Sequence, residues 1–92
     1  MVNARAHVLV NGQVQGVFFR QSTREKAQTS GVTGWVRNLR DGRVEAVFEG
    51  EENAVKLLVD YCRKGPTGAM ITNVNVEFEK FAGEFKNFKI VY

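Results

Sequence analysis

The residues that most clearly indicate chemistry lie at positions 10–20, which read VNGQVQGVFFR. Gly12 and Gly16 lack a Cβ, so the backbone there reaches positive φ at little cost and turns back sharply. A turn of this kind between a strand and a helix points several N–H groups inward and forms an anion-binding concavity. Arg20 lies at its rim, where the planar guanidinium matches two oxygens of a phosphate. The segment therefore predicts a binding site for a phosphoryl group.

Motifs elsewhere in the chain connect this loop with a known family. Residues 12–20 resemble the signature loop of the acylphosphatases, and residues 34–50 resemble the second signature of that family, with GWVRN followed by a G-x-V step and a closing glycine. Residues 65–69 (GPTGA) and 88–92 (FKIVY) resemble its closing elements. The resemblance spans the whole chain, and two motifs in the same order are far more specific than one glycine-rich loop.

The resemblance implies an activity and the residues that perform it. Acylphosphatases hydrolyse the carboxyl–phosphate bond of acyl phosphates to a carboxylate and inorganic phosphate. Carried onto this chain, Arg20 binds the phosphate and Asn38 orients the attacking water. The phosphate-binding loop is expected to comprise Gln15, Gly16, Val17, Phe18, Phe19 and Arg20. The expected partner is a small acyl phosphate, with phosphate or other tetrahedral anions as ligands.

The residue types of the two motifs favour direct attack of water on phosphorus. The amide of Asn38 offers an acceptor and donors for a water but cannot take a proton near neutral pH, so it orients the water without acting as a base. Neither the loop at residues 12–20 nor the GWVRN segment at residues 34–38 contains a carboxylate or a histidine, and we expect a phosphate oxygen of the substrate to accept the proton. Because a carboxylate is a good leaving group, positioning and charge stabilisation are expected to suffice without a metal or a cofactor.

Each of these residues also has a simpler interpretation. Arg20 is alternatively a solvated arginine beside a helix, and Asn38 is alternatively a turn residue at the end of a strand. Phe18 and Phe19 each have two interpretations, because one is expected to anchor the loop while the other is free to line the mouth of the site against an acyl group. Smaller residues are common in the family at the position of Phe18, which leaves the shape of the acyl pocket open.

Composition limits the class of protein. With 92 residues and 43% hydrophobic content, the chain is expected to form a single domain over residues 1–92. Its net charge of +3, from 13 basic and 10 acidic residues, suits small phosphorylated partners better than nucleic acid. One cysteine, Cys62, and one histidine, His7, exclude an internal disulfide and a zinc cluster. The sequence has no long apolar run and no signal-peptide pattern, so a cytoplasmic monomer that does not contact a membrane is expected.

Hydrophobic periodicity predicts two helices and five strands. A capping box formed by Ser22 and Glu25 places the start of the first helix at about Ser22, and Gly31 ends it. The second helix is expected over residues 51–64, with a buried face at three- and four-residue spacings. That face comprises Ala54, Leu57, Leu58, Tyr61 and Cys62. Alternating apolar residues predict strands at 4–10, 33–39, 44–49 and 70–79 and a short strand at 88–92.

This order of elements is typical of a ferredoxin-like α+β sandwich, in which two helices cover one face of an antiparallel sheet of four to five strands. In that topology the first two strands are parallel and the third lies antiparallel between them. The C-terminal ends of the first two strands therefore lie at the same end of the sheet, two strand spacings or roughly 10 Å apart. The loop that carries Arg20 and the strand end that carries Asn38 are thus expected to meet around one small anion.

Two rival functions use the same order of elements. RNA-recognition modules stack bases on aromatic side chains of the central strands. The third strand of this chain instead places Glu45, Val47 and Glu49 on the open face, which disfavours RNA binding. The other rival is a non-catalytic or accessory acylphosphatase-like domain, such as the one that begins larger carbamoyl-transfer maturation proteins. A 92-residue chain without an attached domain favours the free-standing enzyme.

Overall fold

The computed structural model describes residues 2–92, in which strands and helices follow one another in the predicted order. The strands are β1 (Asn3–Gln13), β2 (Thr33–Asn38), β3 (Val44–Glu51), β4 (Met70–Glu79) and β5 (Phe88–Ile90). The helices are α1 (Phe19–Ser30) and α2 (Glu52–Lys64). The ferredoxin-like α+β architecture expected from the sequence is confirmed.

The strands form one sheet in the order β4-β1-β3-β2-β5. β3 pairs antiparallel with β1 and with β2, so β1 and β2 are parallel to each other, as predicted. The expectation of a wholly antiparallel sheet is wrong, because β5 pairs parallel with β2. β4 and β5 lie at opposite edges of the sheet, and the chain reverses direction while it crosses from one edge to the other. β5 therefore runs in the same direction as β2, and the sheet is mixed.

The core lies between the inner face of the sheet and the two helices. Ala6, Val8 and Val10 of β1 are fully buried on that face. Phe48 of β3 stacks on Phe88 of β5, with ring centroids 5.6 Å apart. Burial of these apolar side chains is the main favourable term that holds the helices on the sheet.

The buried face of α2 differs from the predicted one. Val55, Leu58, Val59 and Cys62 are buried, whereas Leu57 is 45% exposed. The predicted set and the observed set both follow helical spacing, but the side chains of the set that begins at Val55 are the ones that pack against the sheet. Leu57 lies to one side of that stripe and extends into solvent.

The start of α1 also differs from the prediction. The helix begins at Phe19, its N-cap Phe18 has left-handed φ and ψ of 60° and 25°, and no side chain caps it. Ser22 therefore lies inside the helix, where its hydroxyl donates to the carbonyl of Phe19 at 3.1 Å and accepts from the Tyr61 hydroxyl at 2.7 Å. The predicted capping box at Ser22 is wrong because the left-handed turn at Phe18 starts the helix three residues earlier. As a consequence Arg20 lies in the first helical turn.

The outer face of the sheet is partly covered by the connection between β4 and β5. Glu49 was expected on an open face, but it is fully buried. Its carboxylate accepts hydrogen bonds from the backbone N–H groups of Ala82 at 2.8 Å and of Gly83 and Glu84 at 3.3 Å each, and from Arg5 at 3.2 Å. The connection crosses this face because it must join opposite edges of the sheet, and the carboxylate holds it in place.

Candidate functional site

The loop between β1 and α1 presents unpaired backbone donors. Gly16 has a φ of 76°, and the N–H groups of residues 15–18 donate to no backbone acceptor within residues 2–92. The start of α1 has no side-chain cap. By contrast, the carboxylate of Glu51 caps α2 by accepting from the N–H groups of Asn53 and Ala54. The first N–H groups of a helix need an external partner, so the start of α1 is suited to bind an anion.

A cavity of about 360 Å³ opens beside this loop. It brings together Arg20 from α1 and Asn38 from the end of β2, as the topology predicted. Of the other residues predicted for the phosphate-binding loop, Gly16, Phe18 and Phe19 line the cavity, whereas Gln15 and Val17 do not. The complete lining consists of Val14, Gly16, Phe18, Phe19, Arg20, Gln21, Asn38, Ile90 and Tyr92.

Asn38 lines this cavity and carries an unsatisfied side-chain acceptor. It is the last residue of β2 and lies opposite Val44 in the register of β2 and β3. Its side-chain oxygen Oδ1 is buried and has no hydrogen-bond partner among residues 2–92. Buried polar atoms are almost always hydrogen-bonded, and those that are not call for an explanation such as a ligand or a water. Asn38 thus lines the cavity with an acceptor that the protein itself leaves unused.

Arg20 contributes the positive charge of the cavity. Its guanidinium carbon lies 5.3 Å from the centroid of the Tyr92 ring, in a cation–π contact. Within the described residues its guanidinium forms no ion pair. Its charge is therefore available to an anion. The contact with Tyr92 was missed by sequence reasoning, which treated that residue only as the end of a strand.

Gln15 has a role in the structure that the sequence did not reveal. Its side-chain nitrogen Nε2 donates to the carbonyl of Leu39 at 2.8 Å and to the carbonyl of Arg43 at 3.0 Å. The backbone N–H of Leu39 donates to the same carbonyl of Arg43, at 2.8 Å, and closes the turn between β2 and β3. Gln15 thus attaches the β1–α1 loop to the residue that follows Asn38. Sequence reasoning had counted only its backbone N–H.

The two neighbouring phenylalanines of the loop differ in their environment. Phe19 is 2% exposed and belongs to the core, so it anchors the start of α1. Phe18 is 75% exposed and lies at the cavity. Phe19 is therefore the residue that anchors the loop, and the role of Phe18 against an acyl group stays a prediction.

Other kinds of site receive no support from the described residues. Within residues 2–92, no three His, Cys, Asp or Glu side chains are grouped so that they could hold a metal ion. Burial raises the pKa of the Cys62 thiol to about 12, so this cysteine is a small core residue. Neither helix in that range has the length and apolar character needed to cross a membrane.

Comparison with known proteins agrees with the geometry. A family model described as acylphosphatase matches residues 6–90. The acylphosphatase of Pelotomaculum thermopropionicum is 53% identical over 92 residues, which cover 100% of both chains. The structure of an acylphosphatase from Coxiella burnetii has a TM-score of 0.91 and 40% identity, covering 97% of this chain and 93% of that one. Full-length HypF, in a phosphate- and nucleotide-bound form, matches 99% of this chain at a TM-score of 0.84 and 26% identity, but only 12% of HypF is covered.

Proposed function

This chain belongs to the acylphosphatase family, and we propose that it hydrolyses acyl phosphates by direct attack of water on phosphorus, with the phosphate held by Arg20 and the loop amides and the water oriented by Asn38. The observation that carries the proposal is the shared cavity. Arg20 and Asn38 come from different elements and line the same space of about 360 Å³. A cation and a side-chain amide that line one cavity meet the needs of an anionic substrate and a water.

The phosphate is bound by charge and by backbone donors. The unpaired N–H groups of residues 15–18 and the uncapped start of α1 supply several donors and the positive end of a helix dipole. The guanidinium of Arg20 adds a full charge and two parallel donors. These groups are in place before the substrate arrives, so they stabilise the charge on the transferring phosphoryl group without reorganisation.

The water is bound by Asn38. Its oxygen Oδ1 has no partner within the described residues; once the side chain turns toward the cavity, this oxygen accepts a hydrogen bond from the water and holds a lone pair of the water oxygen toward phosphorus. A bond forms between the water oxygen and phosphorus while the bond from phosphorus to the acyl oxygen breaks. A phosphate oxygen of the substrate takes the proton, and the acyl group leaves as a carboxylate. Positioning and electrostatic stabilisation supply the rate enhancement, and no side chain needs to act as a base.

A second candidate is an accessory role for the same fold. The match to a small part of HypF favours it, because an acylphosphatase-like unit there forms part of a much longer chain. The two candidates differ in one measurable property, since an accessory domain does not need to turn over a free acyl phosphate.

The test is hydrolysis of benzoyl phosphate in the presence of a chelator, with matched variants. Arg20→Gln is compared with Arg24→Gln, which lies on the same helix but outside the cavity lining. Asn38→Ala is compared with Asn53→Ala, an exposed position on α2. We expect Arg20→Gln to raise KM and to lower kcat, and Asn38→Ala to lower kcat by roughly 10²- to 10³-fold with little change in KM. The control variants should resemble the parent.

The outcomes separate the candidates. No hydrolysis by the parent would favour the accessory role. Hydrolysis that survives Arg20→Gln or Asn38→Ala unchanged would remove that residue from the proposed mechanism. A requirement for added metal would contradict the mechanism as a whole.

A further inference from the structure

Phe18 combines two properties that are unusual in one residue. Among residues 2–92 it is the only residue other than glycine with positive φ, at 60°. Its large apolar side chain is also 75% exposed. Bulky residues rarely adopt the left-handed conformation, because their Cβ lies too close to the following carbonyl oxygen. Neither property is what stability alone would favour at this position.

The folding of the loop does not account for the side chain. The adjacent Phe19 is 2% exposed and already anchors the start of α1 in the core. The turn itself needs a residue that accepts a left-handed conformation, and a glycine or an asparagine does so with less strain. Strained residues that persist at a binding site point to a role in binding.

The cavity offers such a role. Its volume of about 360 Å³ is that of a small-molecule site and is more than a phosphoryl group needs. The polar side chains of Arg20, Gln21 and Asn38 account for only part of the lining. Much of the remainder is apolar or aromatic and includes Val14, Ile90 and the exposed ring of Phe18. An acyl phosphate that places its phosphate on the polar groups still has its acyl group to place.

We infer that Phe18 is a specificity-determining residue, whose ring packs against the acyl group and favours acyl phosphates with an aromatic or bulky apolar acyl group over those with a small one. This inference rests on the proposed function, because it concerns the leaving group of that reaction. Contact between the ring and an apolar acyl group removes water from both surfaces. An acetyl group is too small to gain much from it.

The test compares two substrates in the same enzyme. The ratio of kcat/KM for benzoyl phosphate to kcat/KM for acetyl phosphate isolates the contribution of the acyl group, because a general change in the loop alters both values alike. We expect Phe18→Asn and Phe18→Gly to lower this ratio by about three- to tenfold, as expected for the loss of one aromatic contact. Phe18→Tyr keeps the ring and should leave the ratio within about twofold.

Two variants are needed because glycine removes the ring and also loosens the backbone. Asparagine removes the ring, keeps a Cβ and tolerates the left-handed conformation. The position is exposed and already left-handed, so neither variant should melt at a lower temperature than the parent. The inference is supported if the ratio falls in both variants while their melting temperatures stay at the value of the parent.

The results distinguish this inference from the proposed function. A parent that hydrolyses both substrates, together with an unchanged ratio in Phe18→Asn and Phe18→Gly, would overturn the role of Phe18 and leave the proposed function intact. A parent that hydrolyses neither would overturn the proposed function and this inference with it. An equal fall of the ratio in Phe18→Tyr would also contradict packing by the ring.

Discussion

The side-chain nitrogen of Gln15 lies 2.8 Å from the carbonyl oxygen of Leu39 and donates a hydrogen bond to it. This bond joins the β1–α1 loop, which holds the backbone donors, to the residue directly after Asn38. The two segments come from separate parts of the sequence, and in the proposed mechanism the distance between them decides whether a water on Asn38 can reach a phosphorus on the loop. The same side-chain nitrogen also donates to the carbonyl of Arg43 at 3.0 Å, so Gln15 is bonded to both sides of the turn between β2 and β3.

We therefore predict that Gln15→Ala lowers kcat/KM by roughly tenfold, because a small misplacement of the loop relative to Asn38 is costly for an in-line attack. Gln15→Glu should lower it further, since a carboxylate cannot donate and repels the two carbonyls. Gln28→Ala, at an exposed position on α1, serves as the control. Steady-state kinetics with benzoyl phosphate measure the effect. Parent-like kinetics in Gln15→Glu would contradict the role of this bond.

The sequence was sufficient to predict that Arg20 and Asn38 lie at one cavity, because residue type and topology restrict their positions independently. The β1–β3–β2 order puts the C-terminal ends of β1 and β2 at the same end of the sheet, and each of the two residues belongs to a recognisable motif. The contacts of Gln15 were not predictable in the same way. Its acceptors are backbone carbonyls of Leu39 and Arg43, and backbone acceptors carry no signature in the sequence because every residue has one.

The start of α1 was mispredicted for a related reason. Ser22 and Glu25 match a capping box, but the decisive feature is the left-handed conformation of Phe18. A phenylalanine is among the last residues from which a left-handed N-cap would be inferred. Local sequence preference therefore predicted the wrong helix start at the loop that forms the cavity. Functional loops are where such preferences are most often overridden.

Inorganic phosphate should stabilise the folded chain if the loop and Arg20 form a phosphate site. A ligand that binds only the folded state adds about 1.4 kcal/mol to the free energy of unfolding for each tenfold rise in concentration well above its Kd. We predict a concentration-dependent rise in the melting temperature of the parent that is much smaller in Arg20→Gln. Sodium chloride at matched ionic strength is the control. Equal rises in the parent and in Arg20→Gln would indicate a general salt effect without a specific site.

The hydroxyls of Tyr61 and Ser22 should be energetically coupled, since Tyr61 donates to Ser22 at 2.7 Å across the two helices. We predict that Tyr61→Phe lowers the free energy of unfolding by about 1 kcal/mol, and that a double-mutant cycle with Ser22→Ala gives a coupling of about 0.5–1 kcal/mol. Urea denaturation measures each corner of the cycle. A parallel cycle of Ser22→Ala with Glu25→Ala should show no coupling, and coupling there would contradict the start of the helix at Phe19.

The carboxylate of Glu49 should make stability depend on pH. Burial alone would raise the pKa of this carboxyl. The hydrogen bonds from the backbone N–H groups of residues 82–84 and from Arg5 outweigh that effect and hold the pKa below the ordinary 4.5. The folded state therefore binds this proton less readily than the unfolded state does. Its contribution is fully present above the ordinary pKa and is lost as the pH falls below it.

We predict that Glu49→Gln lowers the free energy of unfolding by about 2 kcal/mol near neutral pH, because charge-assisted hydrogen bonds to the β4–β5 connection are lost. The difference between the parent and Glu49→Gln should shrink as the pH falls below 4.5, the ordinary pKa of a glutamate, and through the lower pKa of the folded state, where the parent carboxyl loses its charge. Urea denaturation at several pH values measures it, and Glu77→Gln at an exposed position of β4 is the control. A difference that stays constant down to low pH would mean that the shape of the side chain, and not its charge, holds the connection on the sheet.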